Sequence, residues 1–181
     1  MNARTWIATA ALAATIGMPA PGVAQAEHAH GTGLEVPASI EAEHREIQAA
    51  LEAATREPGR VGAAARALAK VLDPHFVREE QIALPPLGLL GPLAAGERPA
   101  GMATALAMSD SLRHELPRML EEHGQIRRAV AALRAAAREA HAVEAERLAE
   151  ELALHAQTEE QVLYPAAVLA GDVIRARQAG R

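Results

Sequence analysis

At 181 residues the chain is the size of one domain with its own core, and half of it is apolar. It holds one Trp, one Tyr and one Phe, while Ala, Leu, Glu and Arg dominate, a mixture that favours helix and leaves little suited to strands. The formal net charge of −5 offers no basic footprint for nucleic acid, and the absence of cysteine excludes disulfides and iron–sulfur ligation by protein thiolates.

Residues 1–26 read as a signal peptide. Arg4 is their only charged side chain, a mildly apolar run follows, and Ala24-Gln25-Ala26 forms an A-x-A cleavage site. Pro19 and Pro21 interrupt the run, which is too short to span a bilayer. The expectation is a periplasmic or secreted protein, free of the membrane after cleavage and lacking Trp6. Residues 27–36 are polar and Gly-rich, a linker. Within it His28 and His30 are placed to bind copper or nickel with the new amine, a solvated tail being the default.

From Pro37 to the C-terminus the pattern is helical. Ile40, His44, Ile47 and Leu51 form one stripe, with Pro37 suited to the first turn and Glu57-Pro58-Gly59 as the stop. A second seam runs Val61, Ala65, Leu68, Leu72, His75, Glu79 and Ile82; Pro74 predicts a kink and Pro85-Pro86 an end. A Pro/Gly-rich connection over 85–101 leads to a third seam: Leu112, Leu116, Met119, His123, Ile126, Val130, Leu133 and Ala137. Pro117 predicts a bend or break within it. The fourth seam carries Leu148, Leu152, His155, Glu159, Val162, Ala166, Leu169 and Val173, with a kink expected at Pro165. Four amphipathic segments describe an all-α four-helix bundle. Residues 86–116 and 166–178 overshoot one end of it and are expected to pack together there as a lid.

The chain repeats itself. HFVREEQIALP at 75–85 aligns with HAQTEEQVLYP at 155–165, and EHREI at 43–47 with EHGQI at 122–126. His44 lies about 18 Å from the end of its helix and His75 about 21 Å into the next, so an antiparallel pair brings both to one height. The pair His123 and His155 repeats the arrangement. In each His-x-x-x-Glu the i,i+4 spacing stacks both side chains on one face. Any one of these histidines alone would read as a satisfied core residue. Together they do not, because Glu79 and Glu159 share seams with Leu and Ile that supply no Lys or Arg. A buried unpaired carboxylate costs several kcal/mol, against a domain stability of about 5–15 kcal/mol. A cation is the expected partner.

Four imidazoles and two carboxylates exceed one tetrahedral zinc and suit two first-row ions, iron ahead of manganese. With both Glu bridging, each ion receives two nitrogens and two oxygens, and a small exogenous ligand has room. The order His, His-x-x-x-Glu, His, His-x-x-x-Glu over about residues 37–170 resembles the hemerythrin-like, or HHE cation-binding, family. The resemblance implies an up-down-up-down bundle around a non-haem di-iron centre, with His44, His75, Glu79, His123, His155 and Glu159 as ligands.

The oxygen carriers of that family have a fifth histidine one turn after the third-helix ligand, where this chain has Arg127. His114 lies half a turn out of phase with His123, and His141 about 21 Å from His155, so neither replaces it. The match is therefore to symmetric four-His, two-Glu members, associated with oxygen or nitric oxide response, iron sensing and iron-centre repair. A binding or redox protein for O₂, NO or peroxide is expected ahead of iron handling or a di-iron peroxidase or oxidase. Of the remaining polar residues, Glu80 and Glu160 fall about 100° off the seam and read as surface or flanking groups, with alternative ligands as the second reading. Glu43 and Glu122 are placed to orient an imidazole, with a solvated face as the default. Tyr164, the only aromatic hydroxyl, lies just past the fourth-helix ligands and reads as a cap on the core, with approach to the site as the alternative.

Overall fold

The computed structural model describes residues 34–180. The expected signal peptide, most of the expected linker, and His28 and His30 lie outside the described residues. The described chain is helical with no strands, in the order α1 (Ala38–Thr55), α2 (Gly59–Arg78), α3 (Leu90–Ala94), α4 (Met102–Ala140), α5 (Val143–Thr158) and α6 (Tyr164–Ala179). Neighbours in the bundle are α1–α2, α2–α4, α4–α5 and α5–α1, so four helices close a ring. No described helix is long and apolar enough to cross a membrane.

Local chemistry sets the helix ends. Pro37 precedes α1 with φ −53°, and the chain re-enters helix at Gly59, whose φ of +66° suits a residue without Cβ. α4 stops at His141, which takes the left-handed conformation and returns its N–H to the α4 carbonyls. Proline does not break these helices. Of the bend or break expected at Pro117, the break does not occur: α4 runs unbroken through it, and α2 runs through Pro74. Each proline removes one hydrogen bond to the carbonyl four residues earlier. Those carbonyls belong to Arg113 and Lys70, both exposed residues, where water can take the place of the lost donor.

The real irregularity follows the His-x-x-x-Glu phrases. Glu79–Ala83 and Glu159–Leu163 are π-helical turns, closed by Leu84 N–H to the Glu79 carbonyl and Tyr164 N–H to the Glu159 carbonyl. Each turn holds an extra residue, which rotates the following seam. Beyond Glu159 the buried positions are therefore Tyr164, Ala167, Ala170, Gly171 and Ile174. Val162 and Leu169, placed in the core by an uninterrupted α period, are 55 % and 59 % exposed.

Two apolar masses enclose the middle of the bundle. Toward the α1–α2 and α4–α5 turns, Leu51, Leu68, Leu72, Leu133, Leu148 and Leu152 interlock. Each such leucine contributes roughly 1.5–3 kcal/mol, the reserve that offsets a polar layer. At the other end Leu84, Leu87, Leu112, Met119 and Tyr164 form a second cluster. Beyond it Leu34, Leu89, Leu93, Ala105 and Ile174 form a third. The overshooting segments thus pack together as the sequence suggests. Leu34 and Val36, read from sequence as linker, pack into this end.

α6 crosses α4 at Gly171, where an added Cβ would lie 2.5 Å from Ser109 Cβ. Buried Ser109 donates to the Ala167 carbonyl at 2.7 Å across the same crossing. Gly171→Ala is expected to lower stability by about 1–3 kcal/mol through overpacking. In an open helix the same change would raise it by roughly 1 kcal/mol. The urea midpoint, at unchanged m, decides the sign.

Candidate metal centre

One histidine from each helix of the bundle reaches the same layer: His44 from α1, His75 from α2, His123 from α4 and His155 from α5. All are 1–3 % exposed. Glu79 and Glu159, at the start of the π turns, join them at 0 % and 1 %. The Nε2 atoms face the carboxylates: His75 to Glu79 Oε1 at 3.3 Å, His155 to Glu159 Oε1 at 3.0 Å, and His123 to Glu159 Oε2 at 3.4 Å. His44 Nε2 stands 3.6 Å from Glu159 Oε1 and 3.9 Å from Glu79 Oε2. Two groups able to hold a metal ion result: His44, His155, Glu79 and Glu159 on the α1–α5 side, and His75, His123, Glu79 and Glu159 on the α2–α4 side. Both carboxylates belong to both groups. All six residues singled out by the repeat are therefore brought together.

The donor chemistry fits a cation. His44 Nε2, His155 Nε2, Glu79 Oε2 and Glu159 Oε1 are buried without a hydrogen-bond partner. His155 Nε2 and Glu159 Oε1 face each other at 3.0 Å without the alignment of a hydrogen bond, as two lone pairs aimed at a shared ion would. Among the described residues the ion-pair partners of Glu79 and Glu159 are histidines alone.

Without a cation, protons carry the balancing charge. Burial would lower the His44 imidazole, but Glu159, Glu80 and Glu79 outweigh it and raise its pKa to about 9. His75 and His155 are likewise raised by nearby carboxylates against the effect of burial. Burial and the charge of Glu159 push Glu79 up. Burial would raise Glu159 too, yet the imidazoles of His123, His155 and His44 hold it well below the usual carboxylate range.

Outside this layer a second set of carboxylates closes a ring. His44 Nδ1 bonds Glu80 at 3.3 Å, His75 Nδ1 bonds Glu122 at 3.0 Å, His123 Nδ1 bonds Glu160 at 2.9 Å, and His155 Nδ1 bonds Glu43 at 3.1 Å. Every imidazole is held by a glutamate from the next helix around the bundle, which fixes Nδ1 as donor and leaves Nε2 for the centre. Glu80 is exposed and Glu160 partly buried beside the layer, in keeping with their reading as surface or flanking groups, and each also orients an imidazole; Glu43, exposed, and Glu122, partly buried, take the orienting position as well. The residue 100° off the seam of one helix reaches the seam of its neighbour, and the doublets Glu43-His44, Glu79-Glu80, Glu122-His123 and Glu159-Glu160 carry that signal.

Arg127 points outward and donates to Glu160, while Arg118 donates to Glu122 at 3.0 Å. Burial would raise both glutamates, but their His and Arg partners lower them. His114 is exposed and His141 caps α4, so neither joins the centre.

Tyr164 does more than cap the core. Its hydroxyl donates to Glu79 Oε1 and lies 3.1 Å from His123 Nε2 and 3.4 Å from His75 Nε2. Burial, with Glu79 and Glu159 close by, pushes its pKa far above the usual phenol value. An uninterrupted α period hides this residue; the π turn swings it inward. On the other side Phe76 stacks on His44 at a centroid distance of 4.0 Å and meets His155 edge-on at 5.6 Å.

The family model for the hemerythrin HHE cation binding domain matches residues 35–167, most of the chain. This protein belongs to that family, and its buried His/Glu cluster is compatible with a metal-binding site. Neither the comparison with curated proteins nor that with solved structures gives a match.

The raised His44 pKa has a sign. The folded state holds this proton more tightly than the unfolded one, so the associated stability is complete below about pH 6.5 and lost as pH rises toward 9. His75 and His155 act in the same direction. Thermal melts of protein kept metal-free by chelator should fall across that range; a constant or rising melting temperature would contradict the electrostatics.

Proposed function

We propose that this chain is a non-haem di-iron protein that binds or reacts with a small ligand such as O₂, NO or peroxide, exported to the periplasm or secreted. The reading rests on one observation: two buried four-residue groups able to hold a metal ion share Glu79 and Glu159, and the His44–His155 group carries four donor atoms without a partner. His44 and His155 would hold one ion, His75 and His123 the other, with the two glutamates bridging. Imidazole and carboxylate in this ratio suit iron, with manganese the weaker choice.

When bound, such a pair supplies Lewis acidity and the capacity for two one-electron changes. The chain's own contribution is orientation and exclusion. The glutamate ring holds each ring nitrogen in place, and the apolar clusters keep bulk water out. With four protein donors at each position, a first-row ion would have room for an added ligand. Burial of all six residues to 3 % exposure or less limits that ligand to a few atoms. The same burial favours retention of metal over ready delivery, and so favours ligand chemistry over iron handling.

Elemental analysis of the protein from its native compartment tests the reading directly: two irons per chain are expected, and a metal-free or one-metal protein would refute it. Metal should also stabilise the fold by roughly 2.7 kcal/mol when free metal is a hundredfold above Kd. Glu79→Ala combined with Glu159→Ala should lose two-ion binding while keeping its far-UV helical signal. Retention of two ions by that variant would show the wrong carboxylates had been assigned.

The outer ring offers a finer test. Replacing Glu43, Glu80, Glu122 or Glu160 by Ala should each weaken metal binding about 10–100-fold, measured by chelator competition. Unchanged affinity in all four would reduce the ring to surface charge.

A further inference from the structure

The repeat makes the two halves of the centre look equivalent, but their surroundings differ in two ways. Phe76 corresponds to Ala156 in the aligned phrase, and Tyr164 to Leu84. The α1–α5 histidines therefore have an apolar ring beside them and the α2–α4 histidines a phenol. The outer carboxylates differ as well. Glu122 and Glu160, behind His75 and His123, are tied to Arg118 and Arg127. Among the described residues no arginine pairs with Glu80 or Glu43, behind His44 and His155.

All four unpartnered donor atoms described above lie on the α1–α5 side. On the α2–α4 side, Tyr164 occupies the corresponding space, with its oxygen against Glu79 Oε1 and both Nε2 atoms. Donors bound to one ion at about 2.0–2.2 Å lie about 2.8–3.1 Å from one another at octahedral angles and about 3.3–3.6 Å at tetrahedral angles. The Tyr164 oxygen falls in this span against His123 and His75, at 3.1 and 3.4 Å, while its hydrogen bond to Glu79 Oε1 is closer and the pair His123 Nε2 and Glu79 Oε1, at 4.0 Å, is wider. His75 Nε2 with Glu79 Oε1 at 3.3 Å and His123 Nε2 with Glu159 Oε2 at 3.4 Å also fall in it.

The geometry points to Tyr164 as a seventh metal ligand, the phenolate donor of the ion held by His75 and His123. This inference rests on the two-ion reading above and goes beyond it by making the two positions chemically unlike. On binding, the phenol O–H bond is replaced by the oxygen–metal bond and the proton leaves to solvent. The His75–His123 position then has five protein donors and the His44–His155 position four, so the latter is where an added ligand finds more room.

The chain contains a single tyrosine, so the test needs no assignment step. Protein loaded with ferrous ions under nitrogen and oxidised to the ferric state should hold two irons and show a visible phenolate-to-iron charge-transfer band. Resonance Raman spectra excited in that band should show phenolate ring modes that shift when the protein is grown on ring-deuterated tyrosine. Tyr164→Phe should keep two irons and lose the band. Two irons with no such band, ring modes indifferent to the label, or a band that survives in Tyr164→Phe would each overturn the assignment of Tyr164 alone. Fewer than two irons in the unaltered protein would overturn the two-ion reading and this inference with it.

Discussion

Glu79 and Glu159 lie in the middle of an apolar bundle at 0 % and 1 % exposure, with imidazoles as their only charged or chargeable ion-pair partners among the described residues. Taking a carboxylate out of water costs several kcal/mol, on the scale of a whole domain's stability. Leucine packing above and below this layer offsets part of that cost without removing its cause. The arrangement is coherent when positive charge enters the layer, as protons on histidine or as metal ions. His44 illustrates the exchange: the carboxylates that hold its proton are those that would hold a cation.

The layer depends on backbone register as much as on residue type. A π turn starts at each buried glutamate, and its i→i−5 hydrogen bond keeps the backbone satisfied while adding one residue to the turn. That residue decides what lies beyond. Had the α period continued past Glu159, Val162 and Leu169 would face the core and Tyr164 would lie away from it. With the π turn, the two apolar residues face solvent and the phenol reaches the carboxylates.

The ring of outer glutamates links this layer to the bundle's topology. Each bond crosses from one helix to the next, so orientation of any imidazole requires the neighbouring helix in register. Closure of the ring also explains why the repeat includes more than the inner residues. Glu-His on the first helix of each copy and Glu-Glu on the second provide both the inner group and the outer support of its neighbour. Departures from the repeat are what break the symmetry: Phe76 opposite Ala156, and Tyr164 opposite Leu84.

The sequence by itself determined the helical class, the four seams, and the six inner residues, because a repeated i,i+4 spacing on an amphipathic helix leaves few other ways to fold. It also implied that residues beyond Glu79 and Glu159 would gather at one end. What only the tertiary structure decided were matters of angle between elements. The outer role of Glu80 and Glu160 depends on how close the next helix lies at the angle where they leave the seam. The place of Tyr164 followed from one extra residue in a π turn, which local spacing does not reveal because the same residues form an α-helix in isolation equally well. Periodicity reports which side chains share a face; interlocking of the packed helices decides where each face turns.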